Sequence, residues 1–193
     1  MKNTIQTKLN LDKLKLLRRI GVLAAVAALG IPALISPIRA DSNERTPEVP
    51  SPLCDDINAP AGHRVKFRAF AVGVQIYEWT GTGWLFKGPE ADLYADAGLN
   101  GKIGTHYAGP TWEANDGSVV LGSSPVRCPL SPNDIPWLLL TADSLEYPGL
   151  FSNITYIQRV STGGGIAPSN SGSFVGEIAR VAYVAEYYFY RAE

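Results

Sequence analysis

Two long stretches restrict what this chain can become. From His63 to Trp79 and from Glu177 to Tyr190 the side chains alternate at every second position. Nowhere after residue 40 do apolar residues recur at a convincing helical spacing. In the first stretch Val65, Phe67 and Ala69 oppose Lys66, Arg68 and Phe70. Further on, Val72, Val74 and Ile76 oppose Gln75 and Tyr77, with Gly73 suggesting a bulge or a close backbone approach. In the second, Val181, Tyr183, Ala185, Tyr187 and Phe189 oppose a face that is also largely apolar, which predicts a strand in the centre of a sheet. Shorter strand signals fill the interval. Thr80-Gly81-Thr82-Gly83 predicts the turn of a hairpin returning through Trp84-Leu85-Phe86, and Asn115-Asp116-Gly117 predicts another. Ile135 to Leu140 is apolar throughout and reads as a segment buried on both sides, and Ile154 to Val160 alternates. Pro89 to Tyr94 fits one helical turn or a short strand, and the Gly/Ser-rich run from Ser161 to Gly176 reads as a mobile loop. The expectation is an all-β, single-domain β-sandwich or closed β-barrel of short antiparallel strands.

The N-terminus stands apart from that pattern. Lys13, Lys15, Arg18 and Arg19 precede an apolar run from Ile20 to Ile35, and Ala40 supplies a small residue for cleavage. This is the order of a secretory signal peptide, predicted over residues 1–40, with a retained membrane anchor as the alternative. Arg18-Arg19 fits a twin-arginine signal poorly. Residues 41–60, with four prolines among polar residues, read as an extended tail, leaving 61–193 as one domain. Residues 1–40 hold seven Lys/Arg and one Asp; the other 153 keep ten basic and seventeen acidic residues, a net of −7. Such a chain has no basic cluster for nucleic acid or for an anionic membrane after cleavage. Cys54 and Cys128, an even pair beyond the signal, favour a disulfide over two free thiols in a secreted or periplasmic protein.

Chemistry-bearing side chains concentrate between Lys102 and Val120. His106 could act as a general base if Glu113 or Asp116 orients it, and the two carboxylates could work as a hydrolytic acid/base pair. The competing readings are a histidine bonded to a turn and an aspartate that builds one. Tyr107 and Trp112 could line a pocket together with Gln75, Tyr77 and Arg159, binding a small molecule or polysaccharide by stacking and hydrogen bonds. Gln158 and Arg159 alternate on one strand, so one of them points inward. An inward Arg159 calls for a carboxylate, with Glu113, Asp116 or Glu186 at hand. Two histidines argue against a His-rich metal site, though His106 with Glu113 and Asp116 could make a weak one; no Gly-x-Ser-x-Gly is present, and no cofactor is implied. Three functions stay open: a non-catalytic small-molecule or carbohydrate-binding module, a secreted hydrolase using His106 with Glu113 and Asp116, and a structural surface protein.

Several motifs occur together and in a fixed order. They are Gly73-Val74-Gln75-Ile76-Tyr77, Pro89-Glu90-Ala91, His106-Tyr107-Ala108-Gly109-Pro110-Thr111-Trp112-Glu113 followed by Asp116-Gly117-Ser118, Ile135-Pro136-Trp137-Leu138-Leu139, Ile157-Gln158-Arg159-Val160, and the terminal Ala185-Glu186-Tyr187-Tyr188-Phe189-Tyr190. In this combination the chain resembles the secreted family known as domain of unknown function 3455, over about residues 60–190. The resemblance implies an exported single domain and no established activity. Some relatives carry a malate dehydrogenase label, which these residues do not support. In Gly81-x-Gly83-x-x-Phe86 a phenylalanine stands where a dinucleotide site needs its third glycine, and the motif lies in a hairpin. Relatives often carry a cysteine after the Gly-Gly-x-Ala-Pro loop, and Ser169 to Ser173 contains none.

Overall fold

A computed structural model describes residues 45–145 and 148–193. The signal peptide expected over residues 1–40 lies outside the described residues, as does the alternative membrane anchor. Among the described residues no helix is long and apolar enough to cross a membrane. Eight strands run in chain order: β1 (His63–Trp79), β2 (Trp84–Tyr94), β3 (Lys102–Tyr107), β4 (Thr111–Ala114), β5 (Val119–Cys128), β6 (Trp137–Ser144), β7 (Tyr156–Gly164) and β8 (Ile178–Ala192). Each pairs antiparallel with the next, and β8 returns to β1, so the sheet closes into an all-β barrel. Pro89 to Tyr94 is therefore strand. Closure leaves no free sheet edge, and an eight-stranded barrel has an interior wide enough to be filled by side chains or to hold one small ligand.

β1 and β8 form the seam. Their register runs from His63 opposite Ala192 to Glu78 opposite Ile178. A bulge interrupts it between Val65 and Phe67, where Lys66 is the extra residue. An extra residue reverses the in/out parity of a strand. Val65 accordingly packs outside with Val160, Tyr188 and Tyr190, while Phe67 packs against the interior cluster that holds Ala69 and Ala71. Past the bulge the inward face carries Gln75 and Tyr77, and Val72, Val74 and Ile76 face outward, half-buried.

The segment read as an extended tail instead folds back on the barrel wall. A disulfide joins Cys54 to Cys128 with a Cα–Cα distance of 5.6 Å. A short 3-10 turn, Asp55–Ile57, follows, and Ile57 is fully buried. Cys54, Ile57, Cys128 and Leu139 make an outer apolar cluster. This is why Leu138, Leu139 and Leu140 are all buried: the even-numbered pair faces the interior and Leu139 lies beneath the N-terminal segment. Gln158 Nε2 donates to the Ile57 carbonyl at 2.7 Å, and the Tyr190 hydroxyl donates to Gln158 Oε1 at 2.5 Å.

One end of the barrel is sealed by the connection between β6 and β7. Phe151 enters it fully buried, with ring contacts to Phe67 at 5.6 Å and Phe189 at 5.0 Å. Polar groups clasp the backbone of that connection. Lys66 Nζ donates to the carbonyls of Leu150 at 2.7 Å and Ser152 at 2.9 Å. Asp116 Oδ2 accepts the Leu150 N–H at 2.7 Å, and Ser118 Oγ accepts the Phe151 N–H at 3.0 Å. Above Phe151 and Phe189 comes a second aromatic layer of Trp112, His106 and Tyr187.

Candidate functional site

Beyond that second layer the barrel is not filled. A cavity of about 360 Å³ opens at the end opposite Phe151. Trp112 and Tyr187 form its floor, Leu138, Leu140, Ile135 and Phe86 its apolar walls, and Gln75, Tyr77 and Arg159 its polar ones. Gly122 sits opposite Trp112 and Leu140, and a Cβ there would come within 3.0 Å of both side chains. Gly165 has a φ of +82°, and its carbonyl accepts the Tyr77 hydroxyl at 2.7 Å, which holds that ring against the wall.

The wall chemistry is one-sided. Gln75, Trp112 and Tyr187 are each at least 98 % buried. Gln75 Nε2 and Trp112 Nε1 have no hydrogen-bond partner among the described residues, while the buried hydroxyls of Tyr183 and Tyr187 face each other. A buried donor left unmade costs about 1–3 kcal/mol, so two in one small space are unusual. Arg159 projects from β7 between Leu138 on β6 and Tyr187 on β8. Its Nε and Nη2 donate to the Pro136 carbonyl at 3.2 and 2.8 Å. No carboxylate pairs with it among the described residues, so the expected ion pair with Glu113, Asp116 or Glu186 is replaced by a backbone carbonyl. Its charge is felt across the interior. It opposes the rise that burial imposes on the hydroxyls of Tyr77 and Tyr183. Burial pushes Tyr183 up strongly, and the neighbouring Tyr187 adds to that.

His106 belongs to the floor's support. It is 3 % exposed and lies flat on Trp112, with ring centroids 4.1 Å apart and an 8° interplanar angle. Nδ1 meets the Thr111 carbonyl at 2.8 Å. A carbonyl only accepts, so Nδ1 carries the proton. Burial drives the ring's pKa down to about 3, against the smaller upward pull of that hydrogen bond, and Arg159 pushes the same way as burial. His106, Glu113 and Asp116 do not converge. Glu113 is on the outer face and accepts the Tyr107 hydroxyl at 2.9 Å, which raises that hydroxyl's pKa. Asp116 sits in the β4–β5 turn, where Ser118 Oγ at 2.6 Å, the Ser118 N–H and the Leu150 N–H hold its carboxyl below the usual range. Among the described residues no three His, Cys, Asp or Glu side chains come together so as to hold a metal ion.

The neutral histidine has a measurable consequence. Its folded pKa is below the unfolded value of 6.5, so acid protonates the unfolded chain first. The stability it supports is present above the unfolded value and is lost as pH falls towards 3. Between about pH 7 and about pH 4 the expected loss from this group alone is about 3 kcal/mol. In His106→Asn the amide nitrogen stands near the Nδ1 position and can still meet the Thr111 carbonyl. Its urea midpoint should fall much less over that interval than the wild type's; equal slopes would mean that His106 titrates freely.

Of the residues singled out from the sequence, Gln75, Tyr77, Trp112 and Arg159 line this cavity, and Tyr107 lies outside it, on the outer surface. Strand alternation explains the difference: His106 points in, so Tyr107 points out. Tyr187 and Arg127 also line the cavity. The inward face of β8, with tyrosines at 183 and 187, carried the signal for the former; nothing local marked the latter.

The family model described as Protein of unknown function (DUF3455) matches residues 60–191. No curated protein and no solved structure matches the chain.

Proposed function

Since the chain belongs to the DUF3455 family, whose description names no activity, we propose from the site itself that the barrel binds one small organic molecule in its open end and does no chemistry on it. The observation that carries this is a cavity with mostly apolar walls whose lining includes Arg159, Tyr77, and Gln75 and Trp112, the last two each with a buried N–H donor without a partner. Binding pockets have this composition, with mostly apolar walls and a few polar groups placed to orient the ligand. A volume of about 360 Å³ within a barrel suits a compact molecule better than a polysaccharide chain. The lack of a converging base and carboxylate favours binding over hydrolysis. The Cys54–Cys128 disulfide is compatible with an oxidising compartment, and with the signal-like N-terminus it supports an exported carrier or scavenger.

The Trp112 indole N–H provides the test, because a ligand in the cavity must change its surroundings. A panel of small aromatic and aliphatic compounds should contain members that shift this resonance in solution spectra. Leu138→Trp, which extends a wall residue into the cavity, should abolish those shifts while the barrel stays folded. A panel without effect, or shifts that persist in the filled variant, would remove the proposal.

A further inference from the structure

The charge of the cavity wall narrows the ligand's class. Three cationic residues line the cavity: Lys87, Arg127 and Arg159. No aspartate or glutamate among the described residues lines it. This is unexpected in a chain that keeps a net of −7 beyond residue 40. Lys87 is paired at the rim with Glu78, at 2.9 Å. Arg127 and Arg159 have no acidic partner among the described residues. The two unpaired buried atoms beneath this wall, Trp112 Nε1 and Gln75 Nε2, can only donate. A wall of donors and cations with no acid is matched by a ligand whose polar end only accepts and carries negative charge.

From this arrangement we infer that the ligand is a small organic carboxylate, its acid group held by Arg159 and its apolar body lying against Leu138, Leu140 and Phe86. This rests on the small-molecule reading above and specifies it. Arg159 is built for the task. A guanidinium has about five N–H donors, of which Pro136 takes two. The Pro136 carbonyl fixes the side chain in place, and the remaining donors form the planar fork that fits a carboxylate. A carboxylate would also supply the missing countercharge, relieving the cost of an inward cation without a partner. Arg127, exposed at the rim, adds an attractive field at the entrance.

The test compares cinnamate with cinnamamide, which have the same body with and without the charge, by titration calorimetry on the wild type, Arg159→Gln and Arg159→Lys. The expected result is cinnamate binding at least about tenfold more tightly than the amide in the wild type. That preference should vanish in Arg159→Gln and survive in part in Arg159→Lys. Equal affinities in the wild type would overturn the carboxylate assignment and leave the small-molecule reading standing. Binding of neither compound would overturn the carboxylate assignment, and with no hit elsewhere in the panel it would end the small-molecule reading as well. Displacement of cinnamate by inorganic phosphate at similar concentration would show a generic anion site and also overturn the inference. Should Arg159→Gln fail to fold, the wild-type acid-to-amide ratio decides alone.

Discussion

Removing the Cys54–Cys128 bridge is expected to lower the unfolding free energy by about 4 kcal/mol, from the loss of a 74-residue loop closure. Alanine is the suitable replacement at both positions, because the cysteines are buried at 1 % and 4 % exposure and a polar substitute would add a second penalty. The variant should still form a barrel, since all eight strand pairings lie within residues 63–192. Its outer wall should loosen, because Ile57 covers Leu139 and accepts from Gln158. The effect extends towards the site. Cys128 ends β5 opposite Trp137, one residue after Arg127 at the rim. Urea unfolding with and without reductant measures the bridge directly. The wild type should lose the stated stability on reduction, and the double alanine variant should be indifferent to it. A wild type equally indifferent would show that packing of the N-terminal segment, rather than the covalent link, holds it down.

Periodicity made the strands legible, and the same property explains what was not. Alternation identifies a strand's two faces but not which one is inside. In β1, hydrophobicity alone assigns Val72, Val74 and Ile76 to the interior, and the structure places Gln75 and Tyr77 there. Two causes act together. The bulge at Lys66 reverses the parity set by Val65, and this end of the barrel holds a polar-walled cavity in place of a packed core. The central-sheet reading of β8, drawn from its two apolar faces, was sound for a reason no local pattern contains. Its outer face at Tyr188 and Tyr190 is covered by chain from before β1, bridged to β5. Proline content concealed that cover, because composition around residues 47–60 suggests solvated chain while Cys54 and Ile57 are buried. Arg159 shows the limit on the site. Alternation said only that one of Gln158 and Arg159 points inward; the fold selects Arg159 and gives it the Pro136 carbonyl as partner.

Phe151→Ala is expected to cost about 3–5 kcal/mol, the range for truncating a fully buried phenylalanine. The ring is 0 % exposed and wedged between Phe67 and Phe189 in the sealed end, where neighbouring strands cannot close up without breaking the seam between β1 and β8. Much of the clasp made by Lys66, Asp116 and Ser118 acts through main-chain groups and survives the substitution. The loss should therefore come from the void rather than from an unravelled connection. The two ends of the barrel should respond independently. Trp112 separates them, reaching Phe189 at 6.2 Å on one side and flooring the cavity on the other. Cinnamate affinity in Phe151→Ala should thus stay close to the wild-type value at temperatures where the variant is folded, despite the large fall in its denaturation midpoint. Affinity falling in step with stability would mean that the aromatic layers transmit strain from the plug to the floor, and that the sealed end helps to shape the site. Affinity holding while stability drops would assign Phe151 to the fold and Trp112 to the ligand, the division of labour that the two layers of rings imply.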